Sequence, residues 1–121
     1  MRRELQVDVS LLEPPIAVLS LRGTVDAASS AELDSQLDGT LDQGRDHVVL
    51  NLSDLDFMST AGWSILVGKL RRLRARKGAL HLCCLSMELD EVYRLLEFER
   101  LMPAHPTLEE ALSAVRAGVA E

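Results

Sequence analysis

The chain has 121 residues, 47% of them hydrophobic and 26% charged, with a formal net charge of −6. That length is expected to fold as one domain over residues 1–117 with a free tail at 118–121, and the acidic balance argues against general nucleic-acid binding, which needs surplus Lys and Arg to neutralise phosphates. No stretch approaches the ~18 consecutive apolar residues of a membrane span, and Met1-Arg2-Arg3 leads into Glu4 and Asp8 rather than an apolar export segment, so a cytoplasmic chain is expected.

Leu5, Val7 and Val9 alternate with polar residues as a first strand, and after Pro14-Pro15 the run Ile16 to Leu21 reads as a second, ended by Gly23. Ser29 with Glu32 three residues on is a capping-box pattern, and Leu33, Leu37 and Leu41 form one face of a helix stopping at Gly44. His47 to Leu52 is a short apolar run, expected as a central strand buried on both faces. A loop over 53–59 leads to a helix carrying Trp63, Leu66, Leu70 and Leu73 and stopping at Gly78. Ala79 to Leu85 is a strand and Met87 to Glu97 a helix. A short strand near Arg100 to Pro103 then precedes a last helix capped by Thr107 and Glu110. Strands alternating with helices of this size imply an α/β fold, a mixed and mostly parallel sheet of about five strands with four helices.

Several groups that carry chemistry elsewhere read here as ordinary structure. Adjacent Cys83 and Cys84 on a strand point to opposite faces, which suits reduced core cysteines rather than a disulfide or a CxxC site. Asp34, Asp38 and Asp42 at four-residue spacing read as a solvated helix face. So do Lys69, Arg71, Arg72, Arg74, Arg76 and Lys77 around the apolar stripe of their helix, with an acidic partner as the alternative. His47, His81 and His105 lack zinc-site spacing, and no phosphate or dinucleotide loop is present, so no catalytic residue, metal or cofactor is assigned.

The informative stretch is Asn51-Leu-Ser-Asp-Leu-Asp-Phe57-Met58-Ser59-Thr60-Ala61-Gly62, a strand leaving through polar residues and opening a helix, where ligands and partners of parallel sheets are met. From spacing alone, Ser59 and Thr60 are either helix caps or hydroxyls exposed to a modifying enzyme. This run, with Gly23-Thr24-Val25-Asp26 upstream and Gly78-Ala79-Leu80 and Leu96-Glu97-Phe98 downstream, resembles the STAS domains of bacterial anti-sigma-factor antagonists over nearly the whole chain.

The resemblance implies a binding protein rather than an enzyme. Its partner would be a serine/threonine kinase-type anti-sigma factor, which phosphorylates the first Ser of the family's Asp-Ser-Ser-Gly, the position of Thr60 here. The family Asp is replaced by Ser59, the alternative acceptor, and the second Ser by Ala61. Asp26, Ser59, Thr60, Ala61, Gly62 and Trp63 are the expected partner-binding residues, Trp63 as a partly exposed aromatic anchor and Asp26 either as a contact or as a turn residue. A PP2C-type phosphatase would reset the switch. The rival readings are a STAS interaction module of another signalling or transport assembly without phosphorylation, and a small phosphate-handling enzyme.

Overall fold

A computed structural model describes residues 3–120. The elements are β1 (Gln6–Leu11), β2 (Ile16–Val25), α1 (Ser30–Asp42), β3 (His47–Met58), α2 (Thr60–Ala75), β4 (Ala79–Cys83), α3 (Met87–Leu95), a 3₁₀ turn (Phe98–Arg100), β5 (Ala104–His105) and α4 (Leu108–Val119). The strands lie in the order β1-β2-β3-β4-β5, β1 antiparallel to β2 and every other neighbour parallel. No helix among the described residues is long and apolar enough to cross a membrane.

β3 is the buried centre that its apolar run predicts. Alternate side chains serve two cores: Val48, Leu50 and Leu52 pack with Leu33, Leu37, Leu66, Leu73 and Leu89 from α1, α2 and α3, while Val49 packs with Ala111 and Val115 of α4. The larger core is mostly aliphatic, with Trp63 stacked on Phe98 at 5.1 Å and Tyr93 6.5 Å away.

Besides β4, which ends at Cys83 rather than Leu85 with Cys84 off the strand at φ +63, and α3, which ends at Leu95 rather than Glu97, four boundaries differ from the sequence reading. β2 does not stop at Gly23: glycine takes φ +94 there, in the left-handed region, and two register shifts carry the strand on to Val25. β3 likewise absorbs residues 53–58 of the loop expected over 53–59, because Leu55 and Met58 are buried and pair with that extension of β2. The strand expected near Arg100 to Pro103 is replaced by the 3₁₀ turn. Met102 plugs the core there, its amide bonded to Phe98 O at 2.8 Å and its carbonyl accepting the Tyr93 hydroxyl, and pairing resumes only at Ala104. α4 continues through Gly118 and Val119, two residues expected in a free tail, while Glu121 lies outside the described residues.

The charge repeats of α1 and α2, expected to be solvated faces, are structural in part. Lys69 is only 8% exposed and reaches both Asp34 and Asp38 at 2.6 Å, and Arg72 pairs with Asp38 as well, so α1 and α2 are cross-linked. Burial pulls the Lys69 ammonium down, but the two carboxylates outweigh it and its pKa is raised. His81 and His105 meet with Nδ1 and Nε2 2.8 Å apart, ring planes 7° from parallel and centroids 5.1 Å apart. Each nitrogen lies roughly 1.2 Å from its own ring centre, so that centroid separation fits rings laid end to end sharing one proton, rather than face to face. The pair clips two-residue β5 onto β4.

Burial, and then the charges of His105 and His47, push His81 down to about 4. The unfolded chain therefore binds a proton below the ordinary histidine value of about 6.5 that the folded chain refuses until about pH 4, and stability falls as pH drops through that window. Urea midpoints at pH 7 and pH 5 are expected to differ more for the wild type than for His81→Gln, and equal differences would remove His81 as the cause.

Candidate functional site

Past Asn51, the last residue of β3 registered with β4, the strand runs on beside β2 alone as far as the Val25–Met58 pair. One residue beyond that pair on each strand stand Asp26 and Ser59, neighbours across an interstrand gap of roughly 5 Å. The Ser59 amide donates to Val25 O at 2.8 Å and locks the exit.

Ser59 is the N-cap of α2, extended at φ −75, ψ 170, its hydroxyl accepting from the Gly62 amide at 3.4 Å and its carbonyl from the Trp63 amide at 3.1 Å. Thr60 follows as the first helical residue. It is exposed, and its hydroxyl makes no hydrogen bond among the described residues. Of the two readings open for these hydroxyls, capping thus belongs to Ser59, and Thr60 is left facing solvent at the positive end of a 16-residue helix.

Ala61 is half-buried and Gly62 buried, and the lack of a side chain at Gly62 sets how closely α2 approaches the sheet. A Cβ there would lie 2.6 Å from Met58 Cγ and 2.8 Å from Val25 Cγ1, the two residues that end β3 and β2.

Asp26 is half-buried and works first on its own chain. Its carboxylate accepts from the Ser29 amide at 2.9 Å and the Ser29 hydroxyl at 3.0 Å, while its amide donates to the Ser29 hydroxyl at 2.9 Å. Donation from the Ser29 backbone, then from its side chain, holds the Asp26 carboxyl below the usual range. The capping box of Ser29 and Glu32 is not formed. Ser29 makes no side-chain cap and its hydroxyl also donates to Thr24 O, while Glu32 takes a bond from Gln36 at 3.0 Å. Asp26 serves the start of α1 in its place.

Trp63 corrects the expectation of an exposed anchor. It is 2% exposed, its indole N–H has no partner among the described residues, and it lies in the apolar stripe with Leu66, Leu70 and Leu73. Its ring helps to line a groove of about 410 Å³ between α2 and the segment after α3, which sequence reasoning missed because Leu96 and Phe98 lie more than thirty residues along the chain. The interhelix Lys69 cluster was also missed, although Lys69 sits three residues after Leu66 and four before Leu73, within the apolar stripe.

Among the described residues no group of three or more His, Cys, Asp or Glu is placed to hold a metal ion. Cys83 and Cys84 are free thiols, Cys83 buried and pushed up to about 12 mainly by that burial, too protonated to act as a nucleophile near neutrality.

Comparison with known proteins covers the same ground. The model of the STAS domain family matches residues 11–111. The chain is 31% identical over 99 residues to the putative anti-sigma factor antagonist BtrV of Bordetella bronchiseptica, covering 82% of this chain and 85% of that one. The crystal structure of an anti-sigma factor antagonist from Mycobacterium paratuberculosis superimposes with a TM-score of 0.85 at 22% identity, covering 93% and 95% of the two chains. The Bacillus cell fate determinant SpoIIAA, solved in a phosphorylated form, superimposes at 0.72 with 22% identity over 91% of this chain and 99% of that one.

Two glycines of α2 separate tight seating from ordinary helix propensity. Gly62→Ala is expected to cost about 1–3 kcal/mol by overpacking. Gly68→Ala, where an added Cβ meets nothing within 4 Å, is expected to gain about 0.5–1 kcal/mol from reduced backbone entropy in the unfolded state. Urea unfolding of both variants checks this, and equal effects of one sign would show that Gly62 is not a packing constraint.

Proposed function

The chain belongs to the STAS domain family, and from that premise we propose that it is an anti-sigma-factor antagonist, binding a serine/threonine kinase-type anti-sigma factor while Thr60 is unmodified and released when that hydroxyl is phosphorylated. The observation that carries this reading is the division of labour at the start of α2: Ser59 holds the cap, leaving Thr60 exposed and unbonded beside it. The relative named an anti-sigma factor antagonist and the neighbour solved in a phosphorylated form lend support.

The contact face comprises the exposed side of the strand exit, with Asp26, Ser59 and Thr60 at its centre and the backbone of Ala61 and Gly62 behind them. Trp63 supports it from within. Replacing a neutral hydroxyl by a phosphate adds about −1.5 to −2 charges. The fold tolerates that charge, because the amides of the first turn and the helix dipole favour an anion at this end of α2. A partner surface fitted to the neutral hydroxyl does not, so release follows from repulsion and lost contact while the domain keeps its shape. Ser59 is the poorer acceptor, since modifying it removes the cap, worth about 1 kcal/mol. A PP2C-type phosphatase would restore the binding form.

Incubation with the kinase-type anti-sigma factor of the same genome and ATP, followed by intact mass and site mapping, tests the switch. One phosphate is expected on Thr60, absent from Thr60→Ala, with partner affinity lost on modification and the far-ultraviolet spectrum unchanged. Stable binding without phosphate transfer would instead favour a STAS interaction module of another assembly, with Thr60 an ordinary helix-start residue.

A further inference from the structure

The groove beside α2 is continuous with the proposed contact face. Thr60 and Ser64, Ser64 with Val67 and Gly68, and these two with Arg71 are three or four residues apart, so the five form a single strip of helix surface. Eleven residues at about 1.5 Å each separate its ends by about 16 Å, or three helical turns. Leu96 and Phe98 form the opposite wall, Leu96 being 47% exposed, and its neighbour Leu95 stands 80% exposed. The middle of the strip is open, since apart from Gly68, its chain neighbours and the adjoining backbone of α2 no atom lies within 4 Å of the place where a Gly68 Cβ would be.

Charge marks one end. Of the four cations on α2, Lys69 and Arg72 are held by Asp34 and Asp38, and Arg74 donates to Leu101 O at 3.1 Å. Arg71 makes no ion pair or hydrogen bond among the described residues. Glu97, the carboxylate next to Leu96 in the chain, is engaged by Arg100 at 3.3 Å. The strip therefore runs from an exposed hydroxyl through an apolar middle to an uncompensated guanidinium, and what complements it is apolar along its length and negative at the Arg71 end.

We infer that this groove receives an amphipathic helix of the anti-sigma factor, about three turns long, laying an apolar ridge against Val67, Gly68 and Leu96 and directing a carboxylate to Arg71. A helix seated in an apolar groove presents such a ridge at i, i+3/i+4 and i+7 spacing, and an Arg-carboxylate pair fixes its direction and register. The inference rests on the functional reading above and adds to it: the modified residue stands at the head of the slot, so a phosphate on Thr60 meets the end of the docked helix directly.

Binding of the purified kinase-type anti-sigma factor to the full chain, measured by titration calorimetry, tests it with two variants outside the strip's buried floor. Arg71→Glu reverses the uncompensated charge, and Gly68→Phe fills the open middle without removing a core contact. Each is expected to weaken binding at least tenfold, with Arg71→Lys within about threefold of wild type and thermal unfolding of every variant near that of the wild type. Wild-type affinity in both Arg71→Glu and Gly68→Phe, with Thr60 phosphorylation still releasing the partner, overturns the groove while the switch stands. If the wild-type chain itself binds no such factor, the functional reading falls and this inference with it.

Discussion

Everything at the candidate site depends on β2 and β3 holding register for longer than β3 and β4 do. The sheet alone would release β3 after Asn51, and the chain beyond would be an ordinary loop. Instead the bulge at Gly23 lets β2 keep pace, Leu55 and Met58 are drawn into the core, and the Val25–Met58 pair becomes the platform on which Gly62 seats α2. Gly23 itself leaves no room for a side chain, a Cβ there falling 2.1 Å from Glu4 O, so the bulge and the entry of the chain before β1 are fitted to each other. Asp26, Ser59 and Thr60 take their positions from this backbone arrangement rather than from contacts among their own side chains.

The order of elements was largely legible, because it is written in hydrophobic period. Alternation marks β1, a short mostly apolar run marks β3, and three- and four-residue spacing marks α1 and α2. What periodicity could not show is where a polar strand is kept in a sheet by its neighbour. Ser53, Asp54 and Asp56 look like loop, yet they are carried along by the buried Leu55 and Met58 between them. The same limit hid the 3₁₀ turn at Phe98–Arg100, which is followed by Met102 buried in the core.

At the site, residue spacing leaves the division of roles among neighbouring side chains open, and helix geometry resolves part of it. Spacing alone does not separate Ser59 from Thr60, the resemblance singles out Thr60 as the acceptor position, and the helix geometry adds that Ser59 is the cap and the Thr60 hydroxyl makes no hydrogen bond among the described residues. Trp63 was read as an exposed anchor because aromatic residues favour interfaces, whereas its position in the Leu66, Leu70, Leu73 stripe already argued for burial. The ionic residues failed in the opposite sense. Charge repeats on two helices were each read alone as solvated, and the pairing of Asp34 and Asp38 with Lys69 is a property of the two helices together.

That pairing bears on how a signal at the site is transmitted. α1 follows Asp26 and α2 follows Ser59, on adjacent strand ends, and nearly three turns along α2 the buried ammonium of Lys69 binds the two helices to each other. Anchored at the base by the sheet and bolted partway along, the two helices behave as a truss rather than as two independent levers. Helices held at two points resist bending, so a change of charge at Thr60 would alter the surface there more than the packing behind it. α4 packs on the opposite face of the sheet, against Val18, Val49 and Cys83, and takes no part in that truss.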